Sequence, residues 1–128
     1  MSHQHHQRVI ENYIEAYNNF DVEGMILNLH DEIEFQNSSN GVVNLEIHGK
    51  SNFQKQAEQA TQLFTEREQK ITDMQFTADN EVQIHCDYRG VLAMGFPNGL
   101  NRGDEIKLKG TSVFRFREGM IIFIKDIS

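Results

Sequence analysis

Glu81-Val82-Gln83-Ile84-His85-Cys86-Asp87-Tyr88-Arg89-Gly90-Val91-Leu92-Ala93-Met94 decides the fold. Val82, Ile84, Cys86, Tyr88, Leu92 and Met94 fall on every second position, the period of a strand with one buried face. His85, Asp87 and Arg89 then occupy the opposite face, as a solvated surface or a dimer contact. A strand this long has to curl to bury one face, and the curl leaves a hollow for helices to fill.

The same alternation continues on both sides. Met74, Phe76 and Ala78 lead to a turn at Asp79-Asn80, and Ile106, Leu108, Phe114 and Phe116 follow a Gly/Asn-rich connection at residues 95–103. Glu118-Gly119 turns the chain into a last run over residues 120–126. The first third reads differently. Ile10, Tyr13, Ile14 and Tyr17 recur at helical spacing, with Asn18 and Asn19 closing the helix. Asp21 caps a second short helix that carries Met25, Ile26 and Leu29. Residues 33–37 and 42–48 read as a hairpin around Ser38-Ser39-Asn40-Gly41. Ser51 with Gln54 reads as a capping box opening a third helix, with Phe53, Ala57, Ala60 and Phe64 on its buried face. Helices grouped before a meander of strands predict an α+β domain: three helices in the N-terminal half, packed in the hollow of a strongly curved antiparallel or mixed sheet.

Composition bounds the function. The 128 residues suit one domain, and no repeat or proline-rich linker divides them, Pro97 being the only proline. The formal net charge of −7, without a basic patch, argues against nucleic acid and against anionic membranes as partners. Cys86 is the only cysteine, so no internal disulfide forms, which suits the cytoplasm. No apolar run has the length of a membrane span, and no signal-peptide core is visible at the N-terminus. His3, His5 and His6 lie in a segment, residues 1–7, expected to fray. Spacing alone gives them no further metal ligands, and neither a metal nor a cofactor is expected.

The order of elements resembles the cone-shaped fold of the nuclear transport factor 2-like, SnoaL-like superfamily. The resemblance rests on three pieces and their spacing. They are His30-Asp31-Glu32-Ile33-Glu34-Phe35 after two helices, His48-Gly49-Lys50 before the third, and Val113-Phe114-Arg115-Phe116-Arg117-Glu118-Gly119-Met120-Ile121 near the end. That superfamily holds isomerases, cyclases, hydrolases, transport factors and scaffolds, so fold leaves function open. Against the ketosteroid isomerase branch, the helical tyrosine falls on Tyr13. The general-base aspartate falls on Asn37, which has no useful basicity, and the oxyanion-hole aspartate falls near Ser112. Against the limonene epoxide hydrolase branch, Asn37 and Asp126 match, Arg89 matches the arginine, Phe35 replaces a tyrosine, and the second aspartate is lost at Val91.

From the residues alone, Asn37 either caps a turn or binds a ligand, and Tyr13 is either a core tyrosine or a hydroxyl donor. Asp126 is either a terminal carboxylate or, sharing the parity of Met120, Ile122 and Ile124, a buried acid with a raised pKa. Alternation puts Arg89 outside; a bulge at Gly90 would turn it inward. The expectation is a small-molecule-binding protein, with cofactor-free acid–base or hydrolytic chemistry on an apolar substrate. Tyr13, Tyr17, Phe35, Tyr88, Met94, Phe114 and Phe116 would line its cavity, and Asp126, Asn37 and Arg89 would form the polar end. The alternative is a non-catalytic ligand-binding or interaction module. A homodimer is expected, through the outer strip of His85, Asp87, Arg89, Lys107 and Lys109.

Overall fold

The computed structural model of the chain describes residues 2–97 and 99–128. Met1 of the N-terminal segment and Asn98 of the 95–103 connection therefore lie outside the described residues. Helix α1 (His3–Asn18) and helix α2 (Val22–Leu27) precede strands β1 (Leu29–Ser39) and β2 (Val42–His48). Helix α3 (Lys50–Ala60) and a single 3-10 turn at Thr61–Leu63 follow. Strands β3 (Phe64–Ala78), β4 (Glu81–Leu92), β5 (Glu105–Arg117) and β6 (Met120–Ile127) complete the chain. The six strands form one open sheet in the order β2-β1-β6-β5-β4-β3. All neighbours are antiparallel except β1 and β6, which run parallel, so the sheet is mixed.

Bulges supply the curvature. The β3–β4 ladder shifts register three times, between Phe64 and Glu66, Ile71 and Asp73, and Phe76 and Ala78. Further shifts interrupt β1–β2 at Asn37/Ser38 and β5–β6 at Arg115/Phe116. Each inserted residue bends and twists its strand. The core fills the inner face, where Ile10, Tyr13 and Ile14 of α1 and Met25 of α2 pack with Ile84, Phe114 and Ile124 of the sheet.

Local chemistry sets most boundaries. The Asp21 carboxylate accepts the Gly24 N–H at 2.9 Å and caps α2, as its sequence predicts. The third cap differs from expectation. α3 opens at Gly49, whose φ of 90° suits glycine, and no side chain caps it. Ser51 already lies inside the helix, and Gln54 bonds Glu58 instead.

The N-terminal segment also departs from the frayed terminus expected for residues 1–7. α1 begins at His3, capped by Ser2, and His6 is fully buried with its ring stacked 4.0 Å from Phe116. Burial pushes the His6 pKa down, which keeps the ring neutral and allows it to pack as an aromatic. No helix is long and apolar enough to cross a membrane, among the described residues.

Candidate functional site

Between the helices and the inner face of the sheet lies a cavity of about 470 Å³. That volume is in the usual range for small-molecule sites. Tyr13, Tyr17, Phe35 and Tyr88 line it, together with Asn37 and Asp126. Six of the ten residues singled out from the sequence therefore meet at one cavity.

The register explains why Asn37 and Asp126 converge. Asn37 stands opposite Asp126 across β1 and β6, and Ser112 stands opposite Asp126 across β5 and β6. The Ser112 hydroxyl donates to the Asp126 carboxyl at 2.6 Å. The Asn37 amide nitrogen donates to the Asn44 side-chain oxygen at 2.9 Å, which fixes the orientation of the amide. Burial drives the Asp126 pKa up to about 6, and the Ser112 hydrogen bond opposes part of that rise. Ionising this carboxyl inside the fold costs about 3 kcal/mol. The acid thus titrates near neutral pH and can give or take a proton there.

Tyr13 is buried, and its ring packs edge-on against Phe114 at 5.9 Å. Its hydroxyl makes no hydrogen bond among the described residues. Burial first, and then the charge of Asp126, holds its pKa above the usual phenol range, so it remains a neutral donor. Tyr17 and Tyr88 share a hydroxyl–hydroxyl hydrogen bond of 3.0 Å farther along the cavity, and burial raises both phenols. Cys86 also lines the cavity, but burial pushes its thiol up to about 11, so it is no thiolate nucleophile at neutral pH.

Four expected residues lie elsewhere. Arg89 is on the outer face of β4, where its Nε donates to Glu105 at 2.7 Å and its guanidinium sits 3.8 Å from Glu66. No bulge turns it inward, because the β4–β5 ladder runs unbroken from Glu81–Arg115 to Val91–Glu105. Gly90 has a different role. A Cβ there would come within 2.8 Å of the Phe64 ring, so the glycine makes room for an aromatic side chain. Met94 lies beyond the end of β4 and is 42 % exposed. Phe114 is sealed in the core at 1 % exposure and has no cavity surface. Phe116 is buried beneath His6, away from the cavity.

One charged cavity residue escapes a reading of the sequence. Arg67 on β3 is 5 % exposed and lines the cavity. Its Nε donates to the Tyr17 carbonyl at 2.8 Å, in the last turn of α1, where a cation complements the helix dipole. Its guanidinium lies 3.7 Å from the Tyr17 ring centre and 4.6 Å from that of Phe20. Its Nη2 is buried without a hydrogen-bond partner, an omission that ordinarily costs roughly 1–3 kcal/mol. The missed signal is a parity switch. Arg67, Gln69 and Ile71 hold the more covered positions at odd numbers, and the bulge between Ile71 and Asp73 moves that face to Met74 and Phe76. Extending the alternation of Met74 and Phe76 backward puts Arg67 on the wrong side.

Among the described residues, no group of three His, Cys, Asp or Glu side chains is placed to hold a metal ion.

The geometry has counterparts in solved structures. A candidate polyketide cyclase from Xanthomonas campestris pv. campestris is similar with a TM-score of 0.78 and 19% identity, over 98% of this chain and 90% of that one. A protein with a ketosteroid isomerase-like fold from Catenulispora acidiphila, solved with trimethylamine, gives 0.74 and 14%, over 92% and 82%. An epoxide hydrolase of M. tuberculosis, similar to the limonene type, gives 0.73 and 16%, over 94% and 79%. At such identities these likenesses speak for the fold alone. No curated protein matches by sequence. The family model of the SnoaL-like domain matches residues 10–124, nearly the whole fold, and the chain therefore belongs to the SnoaL-like family within the nuclear transport factor 2-like superfamily.

Proposed function

We propose that this protein binds an apolar small molecule in its cavity and moves a proton on it, with Asp126 as base and then acid. One observation carries the reading: a carboxyl set in an apolar cavity and hydrogen-bonded to Ser112 at 2.6 Å, where burial pushes its pKa up to about 6. Such a group suits removal of a proton from a carbon beside a carbonyl and its return at a second position. In that step the C–H bond breaks, its proton goes to Asp126, and its electron pair forms an enolate. The Tyr13 hydroxyl would donate to the enolate oxygen, and the Asn37 amide would orient the substrate. A carboxyl performs this chemistry without a cofactor.

Proton transfer is favoured over water attack on an epoxide. The arginine expected to tune the acid is ion-paired on the outer face, and on the resemblance to the epoxide hydrolases the second aspartate is replaced by Val91. Loss of α-deuterium from labelled 2-tetralone, an apolar bicyclic ketone, tests the proposal by proton NMR. The wild type should accelerate exchange, and Asp126→Asn should lower the rate about 100-fold or more. Equal rates in both proteins would remove Asp126 from the mechanism.

The outer sheet face supports a second proposal, self-association. Asp87 meets Lys109 at 3.3 Å and Arg89 meets Glu105 at 2.7 Å on a face that the helices leave uncovered. Sedimentation at micromolar concentration should give a dimer, and a monomer would count against it.

A further inference from the structure

Arg67 is a cation in the cavity wall that the acid–base reading does not use. We propose that it is an anion subsite, and that the cavity takes an organic acid: an apolar ring system whose carboxylate rests on Arg67. The proposal deepens the function proposed above and rests on it, since the same molecule would present its reacting carbon to Asp126.

Three observations converge. First, Arg67 has no counter-ion. It takes part in none of the ion pairs among the described residues, and the charge of Arg67 is not among the influences on the Asp126 pKa. Its helix-capping bond and its ring contacts are internal, but they leave work undone. The rings of Tyr17 and Phe20 cover the faces of the guanidinium, whereas its N–H groups point in its own plane. Nε is satisfied by the Tyr17 carbonyl, and Nη2 is buried with no acceptor. A carboxylate is the natural partner for that edge, because its two oxygens match the fork of a guanidinium, and it would reach the sealed Nη2 by a small shift of the cavity wall.

Second, the cavity has two poles. The row containing Asn37, Asp126 and Ser112 crosses β4 at Ile84, while Arg67 pairs with Gly90. Those β4 positions are six residues apart, roughly 20 Å measured along the strand. Cys86 and Tyr88 line the cavity between them. Tyr13 feels both ends, since its pKa is raised by Asp126 and lowered by Arg67. A molecule that spanned the cavity would need an anionic group at one end and an uncharged, proton-active carbon at the other.

Third, the arginine end is built to hold still. The Asn18 amide nitrogen donates to the Gln69 carbonyl at 3.0 Å, and the Gln69 N–H donates back to Asn18 Oδ1 at 2.7 Å. This reciprocal clamp fixes β3 to the end of α1, two residues from Arg67. The Phe64 ring packs beside it against Tyr88, in the space that Gly90 leaves. The guanidinium is therefore ordered before a ligand arrives, which lowers the entropy lost on binding.

Titration calorimetry at neutral pH with 2-naphthoate and with its neutral counterpart 2-naphthamide tests the assignment on the full chain. The wild type should bind the acid at least about tenfold more tightly than the amide. In Arg67→Met the preference should vanish, with amide affinity unchanged within about threefold. In Arg67→Lys, a point charge without the fork, it should shrink but persist. Equal affinity of the two probes in the wild type, or an undiminished preference in either variant, would overturn the subsite. Equal binding leaves the acid–base reading standing, whereas failure of both probes to bind overturns the subsite and the cavity reading together. Should Arg67→Met not fold, the wild-type pair and Arg67→Lys still decide the matter.

Discussion

Arg67 and Arg89 stand on adjacent strands, one rung apart: Arg67 faces Gly90, and Arg89 faces Glu68. Their surroundings are opposite. Arg89 lies on the outer face between Glu105 and Glu66, where its charge is satisfied and screened by water. Arg67 lies on the inner face among Tyr17, Phe20 and the cavity, with one nitrogen lacking a partner. The residue type is the same, and one rung of the β3–β4 ladder separates them. The face of the sheet separates an ordinary surface ion pair from a residue with a functional question attached.

The contrast between inner and outer faces can be broken or sharpened by substitution. The largest effect on stability should come from the inner face of β5. Phe114→Ala removes a ring sealed at 1 % exposure and should cost about 3–5 kcal/mol in denaturant unfolding. A cost below about 1 kcal/mol would mean that Phe114 faces the cavity, as its sequence suggested, and not the core.

Asp126→Asn should act in the other direction. Because the folded carboxyl holds its proton up to about pH 6, the unfolded chain ionises first as pH rises from about 4. The wild type therefore loses stability across that window, by about 3 kcal/mol in all, and the loss is constant above it. The asparagine variant has no such loss. It should unfold at nearly the same denaturant concentration as wild type near pH 4 and be the more stable protein near pH 8. A gap that does not widen with pH would return Asp126 to ordinary solvation.

Gly90→Ala probes the arginine end. The new methyl group would press into the Phe64 ring, and the strain should cost about 1–3 kcal/mol. The displacement should also loosen the wall beside Arg67, so naphthoate affinity should fall with stability. The smallest effect belongs to the outer face. Arg89→Gln should shift Tm by about 3 °C at most and leave 2-tetralone exchange unaltered. A large loss of exchange would reinstate the arginine in the chemistry.

Much of this architecture is legible in the chain. The helical stripe of Ile10, Tyr13 and Ile14 and the alternation of Val82, Ile84 and Cys86 carry their burial into the structure. Both signals are periodic, and burial on one face enforces the period. Legibility fails where the period is broken. Residues 65–70 of β3 are polar on both faces, so the strand extends well before the alternation at Met74 announces it. In β6 the buried residues are Ile121 and Ile124, not one parity throughout, because the β5–β6 ladder slips at Arg115/Phe116. Asp126 keeps the face of Ile124 and reaches the cavity as its parity predicted.

The sequence by itself determined the element order, the one-sided strands, the aromatic lining of Tyr13, Tyr17, Phe35 and Tyr88, and the pairing of Asn37 with Asp126 as candidates. Those follow from local periodicity and from the identity of residues near strand ends. Only the tertiary structure decided which charges enter the cavity. Bulges in β3 bring Arg67 inward, the regular β4–β5 ladder keeps Arg89 outward, and the parallel pairing of β1 with β6 sets Asn37 beside Asp126. A one-residue slip in register exchanges the two faces of a strand, and such slips are fixed by contacts between strands distant in sequence.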